Sequence, residues 1–320
     1  MAVYTQVDAD DIANFLTDYD VGNIISFKGI AEGVENSNYL LQTDQNHFIL
    51  TLYEKRVNPD DLPFFLNLMD HLAQKGLNCA TPVRDRQGQA LKELCGRPAA
   101  LISFLQGMSI NKPTPHHCRQ LGQALAQMHN ATADFKMTRV NNLSVDGWQN
   151  LMDQCIDRAD NVIPGLSGIL QTEMKWLGDH WPEHLPSGVI HADLFPDNVF
   201  FRGDTLSGLI DFYFACTDIL AYDLAICLNA WCFETDGSFN ITKARNLTRG
   251  YHNVRPLSTA EYDSLPLLCR GAAMRFLLTR LYDWLHQVEG ATVTVKNPRE
   301  YLEKLTFHQA ITSASAYGLE

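Results

Sequence analysis

Hydrophobic and polar residues alternate over the first hundred positions in a pattern typical of a small antiparallel sheet. Residues 24–54 contain three apolar stretches, separated by a glycine-bearing loop and by the polar segment 43–46. This pattern predicts strand, loop, strand, turn and strand. Residues 8–20 and 58–77 show helical spacing, and the second helix should be capped by Asn58 and end at Gly76.

The remainder of the chain is dominated by helical periodicity. An apolar strand over residues 97–108 is interrupted by Gly107, and the helical region begins after it. One strand–loop–strand segment, Gly188–Phe201, interrupts that region, and residues 202–208 turn its second strand back into a third. The helical segments are predicted at residues 115–132, 145–160, 167–181, 221–234 and 258–287. The predicted fold class is therefore α+β, with a β-rich lobe followed by a mainly helical lobe.

Length and composition limit the class of protein. A chain of 320 residues is long for a single core, so two lobes are expected: residues 1–104, a hinge at about 102–107, and residues 105–320. The formal net charge of −12 argues against binding to nucleic acid. Eight scattered cysteines without a C-x-x-C pair predict reduced thiols. The absence of a signal-like start or a long apolar run predicts a cytoplasmic protein without membrane contact. The oligomeric state is not indicated.

The densest group of chemically active residues lies in the segment GVIHADLFPDNVFF, residues 188–201. His191 is two residues before Asp193, Asn198 is five residues after it, and Asp211 follows 13 residues after Asn198. Phosphoryl-transfer enzymes need a carboxylate beside the acceptor hydroxyl and oxygen ligands for a divalent cation. A polar loop held between buried strands can bring these groups together. The alternative is a polar turn whose Asp and Asn residues only shape the backbone.

These residues resemble the motif of the aminoglycoside-phosphotransferase and choline-kinase superfamily, which has the bilobal protein-kinase-like fold. The segments 188–201 and 208–234, together with ENSNYLL, HFILTLYEKRV and MTRVNNLSVDGW, are more narrowly similar to homoserine kinases of that fold. The resemblance covers essentially the whole chain. It implies phosphorylation of the hydroxyl of L-homoserine, a small-molecule substrate, with ATP and Mg²⁺, on the route to threonine.

The resemblance also implies roles for the motif residues. Asp193 would be the catalytic base, and His191 would brace its loop through hydrogen bonds. Asn198 and Asp211 would hold magnesium. The residues expected to bind nucleotide are Gly33, Glu35, Asn36 and Ser37, whose amides would cover the phosphates, Thr51, and the connector Ser103, Phe104 and Leu105, whose backbone would meet adenine.

One position departs from the family pattern. Most relatives carry a lysine in the third strand, paired with a glutamate on the next helix, but this chain has Thr51 there and Phe64 and Phe65 near the glutamate position. Both partners are missing together, as expected if a lone buried charge is costly. Basic residues that could replace the lysine are Lys28, Lys55 and Arg56, although a solvated surface charge is the plainer interpretation of each.

Homoserine carries a carboxylate and an ammonium group, so its site needs a cation and an acidic or carbonyl partner. Candidate substrate-binding residues are Arg139, Asn141, Tyr213, Asp218, Asn229, Trp231 and Arg275, with Arg270 and Arg280 as further arginines on an apolar helix. For each of these arginines, a snorkelling or ion-paired structural role is the plainer interpretation. Asp223 starts a helix, where stabilisation of the helix N-terminus is the better interpretation.

Three alternatives remain open. Another small-hydroxyl kinase of the superfamily could act on choline, methylthioribose or an aminoglycoside. A pseudokinase serving as a binding module is suggested by Thr51 but opposed by the intact Asp193, Asn198 and Asp211. A protein kinase is the weakest alternative, because Tyr213 stands where glycine would follow the Asp-Phe pair and no Ala-Pro-Glu segment is present.

Overall fold

The computed structural model describes residues 4–30, 36–54, 57–287 and 295–319. Within these ranges the strands are β1 (Ile24–Gly29), β2 (Asn36–Thr43), β3 (His47–Tyr53), β4 (Pro82–Val83), β5 (Lys92–Leu94), β6 (Arg97–Ser103), β7 (Ser187–Ile190), β8 (Val199–Arg202), β9 (Thr205–Leu209) and β10 (Cys216–Ile219). The helices are α1 (Ala9–Leu16), α2 (Leu62–Gln74), α3 (Pro115–Ala131), α4 (Val145–Val162), α5 (Leu166–His180), α6 (Leu220–Trp231), α7 (Ile241–His252), α8 (Thr259–Leu285) and α9 (Arg299–Gln309).

The described residues form two compact units. The first comprises residues 4–106 and 208–210, and the second comprises residues 107–207, 211–287 and 295–319. No helix in these ranges is both long enough and apolar enough to cross a bilayer.

An antiparallel sheet forms the centre of the first unit. Its strand order is β1-β2-β3-β6-β4, with β5 also paired to β6. β3 is central and largely buried, as expected for a strand covered on both faces. Helix α1 begins with a capping box between Asp8 and Asp11, and its side chains Ile12 and Phe15 join Leu50 of β3 in one hydrophobic core.

Helix α6 is the buried centre of the second unit. Eleven of its 12 residues are buried, so it has no polar face turned to water. Helix α8, 27 residues long, packs against α4, α6 and α9. The strands here form two separate pairs, β7 with β10 and β8 with β9. Both ends of the segment 191–198 are thus anchored in strands.

Helices α3 and α7 approach each other through two glycines. A Cβ atom added to Gly122 would lie 2.0 Å from the carbonyl oxygen of Leu247, and one added to Gly250 would lie 2.2 Å from that of Arg119. Because real Cβ atoms do not come this close to backbone, only glycine permits the observed spacing. The close approach places His129 of α3 beside Tyr251 of α7, with 2.7 Å between Nδ1 and the hydroxyl.

The predicted α+β class is confirmed, as are the helices at α1 to α6 and α8, including the capping box formed by Ser258 and Glu261. The predicted loop ahead of β2 was too long, because Asn36–Tyr39 already pair with β3 as strand residues. Helices α7 and α9 were not predicted, since their apolar stripe is narrow and much of their sequence is charged. The eight cysteines are all free thiols, as expected.

Candidate active site

One buried carboxylate, that of Asp223, accepts hydrogen bonds from the backbone of the segment between β7 and β8, residues 191–198. The backbone amides of His191 and Ala192 donate to the two carboxylate oxygens of Asp223 at 2.7 and 2.9 Å. Asp223 is fully buried in the first turn of α6. Ala192 has a φ of 64°, a left-handed conformation that is costly for a non-glycine residue. The Asp223 carboxylate therefore stabilises an unusual turn immediately before Asp193.

Burial opposes ionisation of Asp223, yet its pKa is lowered by the hydrogen bond and charge of His129 together with the backbone amides. His129 Nε2 lies 3.2 Å from Asp223 Oδ2, and its other ring nitrogen lies 2.7 Å from the Tyr251 hydroxyl. Tyr251 accepts in turn from Arg255 at 3.0 Å. A continuous buried polar network thus supports the carboxylate that holds the segment, and such networks rigidify when every member is satisfied. The predicted position of Asp223 at a helix start is confirmed. The sequence did not show that its carboxylate also accepts hydrogen bonds from the 191–198 segment.

The carbonyl groups of the same segment are also occupied. Arg275 Nη1 donates to the Ala192 carbonyl at 2.6 Å, and Trp231 Nε1 donates to the Leu194 carbonyl at 2.7 Å. The side-chain nitrogen of Asn198, Nδ2, donates to the Asp193 carbonyl at 2.7 Å. These bonds fix the backbone on both sides of Asp193. Preorganised geometry of this kind is what a catalytic carboxylate requires.

Asp193 and Asn198 lie next to each other, as the sequence motif predicts. Asn198 Nδ2 is 3.2 Å from Asp193 Oδ2. Burial raises the pKa of Asp193 to about 8, the charges of Asp211 and Asp197 add to this rise, and those of Arg275 and Lys296 oppose it. Carboxylates that affect one another's ionisation must share a small region, so the structure groups Asp193, Asp197 and Asp211.

Asp211 follows β9 in a left-handed conformation, with a φ of 64°. Burial raises the pKa of Asp211 to about 6; a hydrogen bond from the Tyr213 amide opposes this rise and the charge of Asp197 adds to it. The side chain nevertheless retains solvent access. A strained backbone that presents an accessible carboxylate is common at functional sites.

The donor set fits a hard divalent cation. Asn198 uses its amide nitrogen within the protein, and its Oδ1 accepts no hydrogen bond from the described residues. Like charges crowd around Asp193 and Asp211, so a cation would relieve their repulsion. No group of three or more His, Cys, Asp or Glu side chains suited to a metal occurs in the described ranges. The Asp211 carboxylate and the Asn198 amide oxygen would leave coordination positions for water and phosphate, as magnesium prefers.

His191 is fully buried beneath the segment. Its ring lies 4.7 Å from that of Phe212, and Nδ1 accepts from the Asp193 amide at 3.3 Å. These contacts place His191 behind Asp193, where it can orient the backbone.

The predicted substrate-binding residues fall into two groups. Arg139, Asn141, Tyr213 and Asp218 are near β10: Arg139 donates to the Ala215 carbonyl at 3.3 Å, and Asn141 donates to Asp218 at 2.6 Å. Asn229, Trp231 and Arg275 form the second group, on α6 and α8; all three are buried, as is Asn141 of the first group. The amide of Asn229 is bonded to Ala225, Cys269 and His308, so it lies in the core and not at the surface of the segment.

Two other arginines on α8 are committed to ion pairs. Arg270 pairs with Glu173 and lies 3.6 Å from the ring centroid of Trp176. Arg280 pairs with Glu300 at 2.5 Å. Their presence on an apolar helix is explained by these partners, as the structural alternative anticipated.

Of the predicted nucleotide-binding residues, Gly33 and Glu35 lie outside the described residues, as do Lys55 and Arg56. Asn36 and Ser37 are buried at the start of β2, and the Ser37 hydroxyl donates to Glu54 at 2.7 Å. Lys28 lies exposed on β1.

Thr51 is buried in β3, and its hydroxyl donates to Asn38 Oδ1 at 2.8 Å. Phe64 and Phe65 are buried on α2. The side chains at the positions where the sequence comparison expects the lysine and the glutamate thus make an uncharged hydrogen bond and apolar contacts.

In the connector that follows β6, Ser103 already forms hydrogen bonds within the protein. The Ser103 amide donates to the Thr81 carbonyl at 2.8 Å, and its hydroxyl accepts from the Thr81 amide at 2.9 Å. Phe104 is 40% exposed and Leu105 follows it outside any strand. The backbone of Ser103 is thus engaged within the protein, whereas the predicted contact of Phe104 and Leu105 with adenine stays a prediction.

Sequence reasoning did not identify Lys296, whose ammonium lies 3.8 Å from Asp197 and 5.3 Å from the ring centroid of Phe195. It also missed the hydrogen bond from Trp231 to Leu194. Neither contact leaves a local signal, because the partners are far apart in sequence.

Comparisons with known proteins identify the family of the chain. The profile of the family described as "phosphotransferase enzyme family" matches residues 26–257. A homoserine kinase from Paramagnetospirillum magneticum is 60% identical over the full length of both chains. Another, from Agrobacterium fabrum, is 61% identical over the whole of this chain and 99% of its own.

Solved structures show the same fold at low identity. An amicoumacin kinase in complex with AMP-PNP and Ca²⁺ has a TM-score of 0.73 at 14% identity, covering 96% of this chain and 95% of its own. Choline kinase from Cryptosporidium parvum has a TM-score of 0.69 at 13% identity, covering 94% of each chain. The β-rich and helical regions seen here thus have the fold found in these kinases.

Proposed function

The chain belongs to the phosphotransferase enzyme family, and from this premise we propose that it acts as a homoserine kinase. It transfers the γ-phosphoryl group of ATP to the side-chain hydroxyl of L-homoserine, giving O-phospho-L-homoserine for threonine synthesis. Full-length identity of about 60% to homoserine kinases supports the acceptor. The observation that carries the chemistry is the rigidly held Asp193 beside Asn198, with Asp211 close enough to influence its ionisation.

Asp193 accepts the proton of the homoserine hydroxyl once its own carboxyl group is ionised, and a cation bound at Asn198 and Asp211 would favour that ionisation. Phosphoryl transfer passes through a loose transition state, so the main contribution of Asp193 is to orient the hydroxyl oxygen toward the phosphorus, and the proton moves late. The hydrogen bonds from Asp223, Arg275 and Trp231 to the backbone keep the carboxylate in place. His191 acts as a positioning residue through its bond to the Asp193 amide.

Asn198 Oδ1 and the Asp211 carboxylate would hold Mg²⁺, with Asn198 Nδ2 fixing the amide plane through Asp193. When bound, the ion supplies charge neutralisation to the phosphate oxygens. Ionised Asp211 is needed for this, and a bound cation would favour ionisation despite its raised pKa.

The first unit would contribute nucleotide contacts. Gly33, Glu35, Asn36 and Ser37 would offer backbone amides to phosphate, and Phe104 and Leu105 would offer backbone groups to adenine. Thr51 cannot supply a positive charge, so backbone amides and the cation would carry more of the phosphate interaction than in a kinase with lysine at this place.

The proposed function is tested by an acceptor panel. Purified protein with MgATP is offered L-homoserine, choline, methylthioribose, an aminoglycoside and no acceptor, and ADP release is measured. We expect kcat/KM for homoserine to exceed that for each other acceptor by at least about 100-fold, because recognition of polar groups discriminates strongly. A preference for another acceptor, or ADP release without acceptor dependence, would contradict the proposal.

Asp193→Asn is the matched active-site variant for this assay. It keeps the size of the side chain and removes the base, so kcat should fall by about 10²- to 10⁴-fold with the fold unchanged by circular dichroism. A kcat close to that of the unaltered chain would show that Asp193 is not the base.

A further inference from the structure

Lys296 stands at the rim of the segment that carries Asp193. Its Nζ lies 3.8 Å from Asp197 Oδ2 and 5.3 Å from the centroid of the Phe195 ring. These two residues flank Pro196 in the turn that ends at Asn198. The ammonium is thereby placed over residues two and four positions beyond Asp193.

The ammonium group of Lys296 makes only a long, solvent-exposed ion pair with Asp197. Its side chain is 58% exposed and that of Asp197 is 65% exposed, so water screens the ion pair. Exposed pairs of this kind contribute little, and either partner can be replaced by a ligand at small cost. Lys296 is therefore available to a ligand in a way that a buried, saturated cation is not.

The other cations of this region are occupied by protein. Arg275 is 1% exposed and donates to the Ala192 carbonyl. Arg280 pairs with Glu300, and Lys304 donates to Glu300 at 2.7 Å and to the Asn229 carbonyl at 3.0 Å. Using Arg275 or Lys304 for a ligand would leave a buried carbonyl oxygen unsatisfied, which is costly. Arg280 is itself buried, and its guanidinium is engaged by Glu300.

The charge of the site calls for such a cation. Asp193, Asp197 and Asp211 are acidic, so they would attract the ammonium group of an amino-acid acceptor and repel its carboxylate unless a cation lies beside that carboxylate. The charges of Arg275 and Lys296 act on Asp193 in the opposite direction. Of these two cations, Lys296 is the exposed one.

We propose that Lys296 binds the carboxylate of the acceptor and so selects an amino acid over an amino alcohol that lacks this group. The inference rests on the proposed homoserine kinase function and names the residue that reads the acceptor. On this proposal Lys296 takes the role first expected of Arg139, Arg270, Arg275 or Arg280. Arg139 donates instead to the Ala215 carbonyl.

The test compares L-homoserine with 3-aminopropan-1-ol, which keeps the hydroxyl and the ammonium and lacks the carboxylate. For Lys296→Met we expect KM for homoserine to rise about 10- to 100-fold, the loss typical of one charge-assisted hydrogen bond. The kcat/KM for 3-aminopropan-1-ol and the KM for ATP should change less than about twofold. Lys296→Arg should restore most of the homoserine affinity.

Lys175→Met is the control, because Lys175 is an exposed lysine on α5 that pairs with the exposed Asp179. This substitution should leave KM and kcat/KM for both acceptors unchanged. Equal losses for both acceptors, or a rise in KM for ATP, would overturn the inference by assigning Lys296 to phosphate or to the segment itself. Homoserine phosphorylation by the unaltered chain is measured first. Its absence would contradict the proposed function, whereas its presence with an unaltered homoserine KM in Lys296→Met would contradict only the role of Lys296.

Discussion

Burial and the charges of neighbouring carboxylates raise the pKa of Asp193, so its carboxyl group stays protonated at a pH where an exposed aspartate is ionised. The raised pKa of about 8 means that the folded protein binds this proton in a range where the unfolded chain, with a pKa of about 3.9, has released it. Linkage then requires stability to fall as pH rises from about 4 to about 8. An ionised Asp193, the form that the proposed base requires, therefore lowers the free energy of unfolding of the folded protein.

Asp193→Asn should remove this destabilisation. In the protein without nucleotide or metal, we expect the variant to have a higher Tm than the unaltered chain at pH 8, with the difference shrinking toward pH 5. Thermal unfolding followed by circular dichroism across this range provides the measurement. Asp157→Asn, an exposed change on α4, is the control and should show no such trend. A pH-independent difference for Asp193→Asn would refute the assigned ionisation.

The sequence predicts some residues of the candidate site and misses others, depending on how far apart the contacting residues lie along the chain. Asp193, Asn198 and Asp211 were found from spacing, because their function constrains a short segment and one later strand end. Asp223, Trp231 and Lys296 act on the same segment from about 30 to 100 residues further along the chain. Only folding brings them there, and no periodicity or spacing encodes the contact.

At the scale of elements, α3 and α7 matter for the site although neither carries a residue of the motif. Their glycine contact sets the distance between His129 and Tyr251, and His129 in turn holds Asp223. The helix α3 was predicted because its apolar stripe is wide. The helix α7 was missed because packing, and not its intrinsic pattern, stabilises it.

Gly250→Ala should separate these helices, since the new methyl group would lie 2.2 Å from the Arg119 carbonyl. We expect destabilisation by about 1–3 kcal/mol or more from overpacking, seen as a fall in Tm of several degrees, and a lower kcat.

Gly178→Ala is the matched control, because Gly178 lies in α5 with nothing within 4 Å of the position that an added methyl group would take. It should leave Tm unchanged or raise it, since alanine favours helix by about 1 kcal/mol. Equal behaviour of the two variants would show that the α3–α7 contact tolerates a wider spacing.

At the scale of the whole molecule, ligand binding should stabilise the folded chain. Nucleotide and cation present at 100 times the dissociation constant would contribute about 2.7 kcal/mol. We therefore expect MgATP to raise Tm by several degrees and ATP with EDTA to raise it less.

Asp211→Asn should lose the difference between MgATP and ATP with EDTA, because the proposed cation ligand is gone, while the shift caused by ATP alone should persist. Differential scanning fluorimetry measures both. A variant with the same magnesium-dependent shift as the unaltered chain would remove Asp211 from the cation site.

The uncharged contact between Thr51 and Asn38 has a consequence for control of the enzyme. Many kinases of related fold are switched by swinging a helix so that a lysine–glutamate ion pair forms or breaks. The proposed equivalence of Thr51 to that lysine, and of Phe64 and Phe65 to the glutamate, leaves no charged side chain at these three positions. On this proposal, a movement of α2 could not switch turnover by making or breaking an ion pair between them.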